Sequence, residues 1–254
     1  MSTDLDGRVV LVTGAAQGMG AAHARRLAAA GATVAVNDIG DSVELTALAE
    51  EIGGLTVVGD VSDPAACQRI ADDVAGATGR LDVLVANHAY MTMATLAEHD
   101  DDDWWKVVDT NLGGTFFLVQ AVLPHMRALG AGRIVVISSE WGVTGWPGAT
   151  AYAAAKAGLI SLVKTLGREL AHEHVIVNAV APGVTDTPQL RVDADAAGVD
   201  LAEMHRTYAS SIPLGRIGIA DEVSAAVELL ADFEMEAVVG QVISCNGGST
   251  RTRA

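Results

Sequence analysis

The chain has 254 residues, half of them hydrophobic, and its 32 acidic and 16 basic residues give a formal net charge of −16. This length and apolar content fit one large α/β domain with a substantial core. An acidic chain without dense runs of Lys or Arg is a poor partner for nucleic acid and for anionic membrane surfaces.

The first element lies in residues 8–13 (RVVLVT), which predict a buried strand. This apolar run is too short for a signal peptide or a membrane span. A glycine turn, GAAQGMG, and an alanine-rich helix follow it directly. In such an order the glycines let the backbone approach a pyrophosphate, and the helix amino terminus offers unpaired N–H groups. Gly14, Gly18 and Gly20, spaced as TGxxxGxG, therefore predict a nucleotide site.

Residues 33–37 predict a second strand, with Asp38 at its carboxyl end. An acidic side chain at this place accepts hydrogen bonds from the adenosine ribose hydroxyls and repels a 2′-phosphate. No arginine or lysine stands next to Asp38 or in the glycine turn to bind that phosphate. The position predicts a preference for NAD(H), and the alternative is a solvated aspartate at a strand end.

Two further strands are predicted at residues 55–59 and 81–87, after a helix at residues 42–52 and another that ends near Gly79. Their carboxyl ends bring Asp60, Val61 and Asn87 to the edge where open parallel sheets bind ligands. Asp60 would bond the adenine amino group while Val61 packs on the ring. The alternative for Asp60 is an ordinary turn cap.

Four consecutive aspartates at residues 100–103 indicate the polar start of a helix near its positive dipole end, rather than a metal site. Asn111 lies farther along this helical pattern, beside Gly113 and Gly114. Asparagine and two glycines are unfavourable in a helix interior, which predicts a kink or a special role. A main-chain carbonyl freed there would be able to hold a water for Lys156.

Residues 133–138 predict the central strand, and Ser139 follows it. In the next helix Tyr152 and Lys156 are four residues apart, so both side chains project from one face. A cation beside a phenol favours the phenolate, so we expect Lys156, together with the positive ring of a bound cofactor, to lower the pKa of Tyr152. The Ser139 hydroxyl would bond the same substrate oxygen that Tyr152 protonates or deprotonates. An isolated tyrosine and lysine at this spacing are common, so the neighbouring motifs decide the interpretation.

The last third of the chain closes the sheet and covers its edge. Residues 175–179 predict a sixth strand that ends in a turn with Pro182 and Gly183. Residues 189–213 look irregular apart from a short helix at 201–210, and a long segment at the ligand edge predicts a substrate lid. A helix at 221–231 and a strand within QVISCNGG complete the fold.

The chain resembles the short-chain dehydrogenases/reductases over nearly its whole length. The matching motifs are TGAAQGMG at residues 13–20, Asp60-Val61, Asn87, Asn111, Ser139, YAAAK at residues 152–156 and PGVTDT at residues 182–187. The resemblance implies a single Rossmann-type domain over residues 1–254, an α/β fold with a doubly wound parallel sheet of about seven strands and helices on both faces. It also implies a catalytic tetrad of Asn111, Ser139, Tyr152 and Lys156.

The resemblance further implies how NAD is held. Lys156 would bond the nicotinamide ribose, and Val184 and Thr187 would hold the carboxamide. The expected cofactor-binding residues are Gly14, Gln17, Gly18, Met19, Gly20, Asp38, Ile39, Asp60, Val61, Asn87, Ala89, Tyr152, Lys156, Pro182, Gly183, Val184 and Thr187. Helices around Asn111 and Tyr152 would pack between the subunits of a homotetramer or homodimer.

The chain departs from the family pattern after the fourth strand. Where the family commonly has NNAG, this chain has Ala86, Asn87, His88 and Ala89. The change affects the backbone approach to the cofactor ribose at Ala89. His88 is either a second member of a proton relay or a packed histidine.

A second feature peculiar to this chain follows Ser139. Glu140 and Trp141, together with Trp146, are candidates to face the substrate. Aromatic walls would favour an apolar or cyclic alcohol. The alternative is that these side chains only pack at the surface.

These features lead to the hypothesis of an NAD(H)-dependent oxidoreductase that interconverts a secondary alcohol and a ketone, on an apolar or cyclic small molecule. Tyr152 would be the general acid or base, Ser139 would orient the oxygen, Lys156 would lower the tyrosine pKa, and Asn111 would support a relay water. We expect no metal, no nucleic acid and no membrane as partners. Two cysteines are too few for a disulfide framework and are not spaced as metal ligands, which fits free thiols in the cytoplasm.

Two other hypotheses remain open. A dinucleotide-binding sensor without turnover would keep the fold but would not need Tyr152 and Lys156. An NADPH-dependent 3-ketoacyl reductase acting on a carrier protein would need a site for the 2′-phosphate, which Asp38 opposes, and would have to dock an acidic carrier on an acidic chain.

Overall fold

Seven parallel strands form the central sheet of the protein, in the order β3-β2-β1-β4-β5-β6-β9. The computed structural model describes residues 3–250. The strands are, along the chain, β1 (Val9–Thr13), β2 (Thr33–Asp38), β3 (Leu55–Val58), β4 (Val83–Ala86), β5 (Gly132–Ile137), β6 (Val175–Pro182) and β9 (Val242–Cys245). The chain runs outward in one direction through β2 and β3 and then returns to β4 on the other side of β1. This reversal opens a crevice at the carboxyl ends of β1 and β4.

Helices cover both faces of the sheet. They are α1 (Gly18–Ala29), α2 (Val43–Ile52), α3 (Pro64–Thr78), α4 (Asp101–Val108), α5 (Gly114–Leu129), α6 (Trp141–Thr144), α7 (Thr150–Leu170), α8 (Pro188–Ala197), α9 (Leu201–Ala209) and α10 (Ala220–Ala231). Across residues 3–250, we find no helix that combines the length and the apolar character of a membrane span. The α/β class, the strand number and the doubly wound arrangement predicted from the sequence are confirmed.

The core consists of two layers of buried side chains, one on each face of the sheet. On one face the strands pack against α3, α5 and α7, and on the other against α1, α2 and α10. Strands that are buried on both faces read as continuous apolar runs, as β1 (VVLVT) and β5 (GRIVVI) do. The rigid sheet therefore fixes where each strand ends, and with it the side chains at the ligand edge.

The segment after β6 is more regular than the sequence indicates. Residues 189–213 were expected to be irregular apart from a helix at 201–210, but α8 precedes α9. Pro188 occupies the first turn of α8, where its fixed φ and missing N–H suit a helix start. Leu190, Ala194 and Met204 form a small core of their own with Ile212 and Ile217. The short strands β7 (Thr185–Asp186) and β8 (Gly218–Ile219) pair with each other at the two ends of this segment.

A buried carboxylate ties together strand ends at the edge of the sheet opposite the crevice. Asp82 is fully buried and accepts hydrogen bonds from the N–H of Val9 and from the guanidinium groups of Arg8 and Arg80. Burial raises the pKa of Asp82, but the bonds from Arg80, Val9 and Arg8 outweigh burial and hold the pKa below its usual value.

We expect Asp82→Ala to lower the free energy of unfolding by about 2–3 kcal/mol at pH 7, because the Val9 N–H loses its partner while the two arginines can turn to water. A carboxylate with a lowered pKa stabilises the fold above its unfolded pKa, and this contribution is lost as pH falls through the folded pKa. The difference in the free energy of unfolding between the wild type and the variant should therefore become smaller at acidic pH. Urea denaturation measures both effects, with the exposed Asp73→Ala as a control that should change little at either pH.

Candidate active site

A cleft of about 1130 Å³ opens at the carboxyl ends of the central strands. Its lining includes the glycine turn after β1, the ends of β2 and β4, the start of α6 and the segment that contains α8. It is therefore the crevice that the strand order creates. Among the described residues, no cluster of His, Cys, Asp or Glu side chains is suited to hold a metal ion.

The glycine turn forms a tight cradle at the start of α1. Gly14 and Gly18 have φ angles of +60° and +58°, which other residues rarely adopt. A Cβ atom on Gly20 would lie 2.1 Å from the carbonyl oxygen of Gly14, so no side chain fits there. The N-cap residue of α1, Gln17, makes no side-chain hydrogen bond to the first N–H groups of the helix. The amino terminus of α1, with its unpaired N–H groups and the positive end of the helix dipole, therefore faces the cleft, which suits a pyrophosphate.

Asp38 lies at the end of β2, on the wall of the cleft. Its Oδ2 accepts a hydrogen bond from the N–H of Ala16 at 3.0 Å, and its Oδ1 accepts one from the N–H of Ile39 at 2.8 Å. A carboxylate has about four acceptor sites, so both oxygens can accept further bonds from ribose hydroxyls. The Ala16 contact also fixes the carboxylate beside the glycine turn, which disfavours the alternative of a freely solvated aspartate.

Asn87 and Asp60 line the same part of the cleft. The Nδ2 of Asn87 donates to the carbonyls of Thr13 and Gly14 at 3.0 Å each. The Oδ1 of Asn87 is buried without a partner among the described residues, which fits an acceptor for a ligand hydroxyl. Asp60 accepts bonds from the N–H and hydroxyl of Ser62, while Asp63 caps α3. Asp60 therefore shapes the turn but also remains at the cleft. Together with the glycine cradle, these groups fit a dinucleotide.

Ser139, Tyr152 and Lys156 are brought together at the start of α7 and the end of β5. Tyr152 lines the cleft, as does Ser139, which is near enough to act on the pKa of the phenol. Lys156 is buried, with its Nζ atom 5.5 Å from the centre of the Tyr152 ring. The same Nζ donates to the carbonyl of Ile137 at 2.8 Å. A helix turn thus places the amine directly behind the phenol, as the spacing predicts.

The protein groups alone do not lower the pKa of Tyr152, contrary to the expectation from the sequence. Burial raises the pKa of Tyr152 to about 12, and the neighbouring Ser139 hydroxyl opposes this only in part. Burial also lowers the pKa of Lys156 to about 7. The sequence reveals which residues are neighbours, but it does not reveal that both groups lose water, and desolvation acts against both charged forms.

Asn111 lies in a single turn of π-helix, Asp109–Gly113, between α4 and α5. The sequence predicts a kink or a special role at this asparagine, and the structure shows the π-turn there. Its side chain is fully buried and exchanges two hydrogen bonds with the backbone of Tyr90, at 2.7 and 2.9 Å. The main-chain carbonyl oxygen of Asn111 accepts a hydrogen bond from the hydroxyl of Thr115 at 2.8 Å. Such π-turns occur mostly within longer helices and frequently at functional sites.

The aromatic residues after Ser139 form a stack at one side of the cleft. Trp141 lies edge-on to Tyr152, with ring centres 6.0 Å apart, and stacks on Trp146 at 5.1 Å. Trp141 lines the cleft, whereas Trp146 supports it from behind and is partly exposed. Glu140 is buried at the cleft wall, where it accepts a hydrogen bond from Ser249. Trp146 is thus placed to pack rather than to touch a ligand.

Most predicted cofactor residues line the cleft: Gly14, Gln17, Gly18, Met19, Gly20, Asp38, Ile39, Asp60, Val61, Asn87, Ala89, Tyr152, Gly183, Val184 and Thr187. Pro182, Asn111 and Lys156 are buried and do not belong to this lining. The sequence interpretation missed Tyr90, Met91, Lys106 and Tyr208, which also line the cleft. Aromatic residues make up only 4% of the chain. Tyr90 and Tyr208 therefore stand out in the sequence, and this rarity was the signal that could have identified them as cleft residues.

Comparison with known proteins gives consistent matches over nearly the whole chain. A family model described as enoyl-(acyl carrier protein) reductase matches residues 14–250. The chain is 40% identical over 249 residues to a 3-oxoacyl-(acyl-carrier-protein) reductase of Thermotoga maritima, covering 96% of this chain and 98% of that protein. It is 38% identical over 247 residues to a cis-4-hydroxycyclohexanecarboxylate dehydrogenase of Sinomonas cyclohexanicum, covering 96% of each. The crystal structure of levodione reductase matches with a TM-score of 0.92 at 30% identity, covering 96% of this chain and 98% of that one.

Proposed function

Since the chain belongs to the short-chain dehydrogenase/reductase family of oxidoreductases, we propose that it interconverts a secondary alcohol and a ketone with NAD(H) as cofactor. The observation that carries this proposal is that Ser139 and Tyr152 both line the cleft, with the Lys156 amine 5.5 Å from the centre of the Tyr152 ring. NAD bound in this cleft would supply the acceptor for the hydride of the carbinol carbon.

Tyr152 is the proton acceptor for the substrate hydroxyl in the oxidative direction. Its phenolate needs nearby positive charge, because burial favours the neutral phenol. Lys156 supplies one such charge when protonated, and the bond to the carbonyl of Ile137 holds its amine in place. Ser139 donates to or accepts from the same substrate oxygen and so orients it. Asn111 supports the route by which the proton leaves.

Asp38 supports the choice of NAD(H) over NADP(H). Its two oxygens face the cleft at the point where the second strand ends, and two backbone N–H groups orient the carboxylate. Hydrogen bonds from the ribose hydroxyls would stabilise NAD, while a 2′-phosphate would meet a negative charge. The cofactor-site residues named above are the surface that we propose holds it.

An apolar or cyclic substrate is supported by the walls next to Tyr152. Trp141 lies beside Tyr152 and stacks on Trp146, and Met91 and Tyr208 also line the cleft. A related dehydrogenase is named for a hydroxycyclohexane ring. We further propose that the segment with α8 and α9 acts as the lid over such a substrate, because Leu190 and Tyr208 face the cleft from it.

The direct test measures reduction of NAD by the purified protein with cyclic, aryl and short linear secondary alcohols. We expect turnover with cyclic or aryl alcohols to exceed that with the linear ones. A 3-ketoacyl thioester with NADPH serves as the comparison, because one relative is a 3-oxoacyl reductase. Faster reduction of that thioester than of any ketone with NADH would replace our proposal with the ketoacyl one, and NAD binding without turnover of any alcohol would favour a sensor.

We also propose a homodimer or homotetramer that packs through helices α4, α5 and α7. Phe116 on α5 is a large apolar side chain that is 42% exposed. Light scattering on the purified protein measures the assembly, and we expect more than one subunit.

A further inference from the structure

His88 stands where the chain departs from the family pattern, and it is buried between two functional segments. It follows β4, and its backbone packs so closely on the glycine turn that a Cβ atom on Gly14 would lie 2.8 Å from the His88 Cα. On its other side, a Cβ atom on Gly114 would lie 3.2 Å from its Nε2. The imidazole thus fills the space between the glycine turn and the π-turn that carries Asn111.

The hydrogen bonds around Thr13 define which ring nitrogen of His88 carries the proton. The Oγ1 of Thr13 accepts the N–H groups of Asn87 and His88 at 3.1 and 3.3 Å, which uses both of its lone pairs. Its own hydroxyl must therefore donate. The Nδ1 of His88 lies 2.7 Å away, and the carbonyl of Val85 lies at 3.4 Å, so the imidazole is the closer acceptor. We assign the proton to Nε2 on this network.

The Nε2–H group faces the π-turn. It lies 3.4 Å from the hydroxyl oxygen of Thr115, at the start of α5. The Thr115 hydroxyl in turn donates to the carbonyl of Asn111 at 2.8 Å. Burial, with a smaller effect of the Lys156 charge, lowers the pKa of His88 to about 3, so the ring is neutral at physiological pH. This favours a packed histidine over a member of the proton relay.

We propose that His88 is a positioning residue, whose ring joins the glycine turn to the π-turn and thereby fixes the carbonyl of Asn111 relative to Lys156 and Tyr152. The inference rests on the proposed function as far as turnover is concerned. His88 acts through the hydrogen bonds of one neutral tautomer. The geometry of the glycine turn and the geometry at Asn111 therefore depend on each other.

We expect His88→Ala to lower kcat for alcohol oxidation by about 10- to 100-fold, as misplacement of a catalytic group commonly does. The rise of kcat with pH should move to higher pH, because the substitution displaces Asn111, which we propose supports the route of the proton from Tyr152. His88→Gln keeps an acceptor for Thr13 and a donor for the π-turn and should recover most of the loss. Thr115→Val should act in the same direction and combine non-additively with His88→Ala, since both interrupt one path.

His23 offers a matched control. It is also a fully buried histidine with a lowered pKa, and its Nδ1 lies 2.7 Å from the hydroxyl of Ser224, between α1 and α10. His23→Ala should lower the free energy of unfolding but leave the pH profile of kcat in place.

Amide hydrogen exchange on the protein without cofactor separates this inference from the proposed function. We expect residues 110–115 to lose protection in His88→Ala and to keep it in His23→Ala. If His88→Ala matches His23→Ala in both exchange and pH profile, His88 has only a packing role and the inference is wrong. If the wild type oxidises no alcohol, the proposed function fails, and the exchange result alone still decides whether His88 holds the π-turn.

Discussion

Replacing Tyr152 by Phe should reduce alcohol oxidation by about 10²- to 10⁴-fold, the range expected for loss of a positioned general base. The substitution removes only the hydroxyl, so the ring still packs edge-on to Trp141. The dissociation constant for NADH should change much less than kcat. Steady-state rates and NADH fluorescence titration measure the two quantities on the same preparation.

The pH dependence gives a second view of the same group. In the wild type kcat for oxidation should rise with pH, because the phenolate of Tyr152 is the active form and burial raises its pKa. Lys156→Met should move this rise to higher pH, since the variant lacks the cation behind the phenol. Tyr208→Phe is the comparison on the lid side, where we expect an effect on KM rather than on the pH profile. Unchanged turnover in Tyr152→Phe would eliminate the proposed base.

Replacing Asp38 by Asn should weaken NADH binding by about 10- to 100-fold, the equivalent of one or two charge-assisted hydrogen bonds. The same change should strengthen NADPH binding, because the negative charge that faces the 2′-phosphate is removed. Asn keeps an acceptor oxygen for the N–H of Ala16, so the turn should survive. Titration of both cofactors into both proteins gives the ratio of the dissociation constants.

Asp41→Asn is the control for this experiment, because Asp41 is an exposed aspartate just beyond β2 that bonds only the hydroxyl of Thr46 among the described residues. It removes the same charge without touching the cleft. We expect its cofactor ratio to equal that of the wild type. If wild-type protein already binds NADPH as tightly as NADH, Asp38 does not set the cofactor preference.

Local sequence signals were sufficient for the framework of the molecule. Each strand of the sheet appears as a short apolar run, and the polar residue that follows it, such as Asp38 or Asn87, reaches the ligand edge because parallel strands end together. The spacing of Tyr152 and Lys156 sets their shared face by helix geometry alone. These relations depend on neighbours in the chain.

Properties that depend on residues distant in the chain were not predictable in the same way. The pKa of Tyr152 in the protein without cofactor is raised by burial from several elements, which outweighs the lowering expected from Lys156. The helix α8 was missed, because its stability comes from a small core shared with α9 and Ile217. The role of His88 depends on Thr13 and Thr115, which are far apart in sequence. No hydrophobic periodicity and no sequence motif connects these three residues, so their contact was not predictable.

The pairing of β7 with β8 has a consequence for how such proteins diversify. Both ends of the segment with α8 and α9 meet at this small ladder, outside the seven-stranded sheet. The segment also buries its own apolar side chains. Changes in the composition or length of this segment can therefore alter the walls of the cleft without shifting the register of the seven strands, provided that Thr187 at its start is kept.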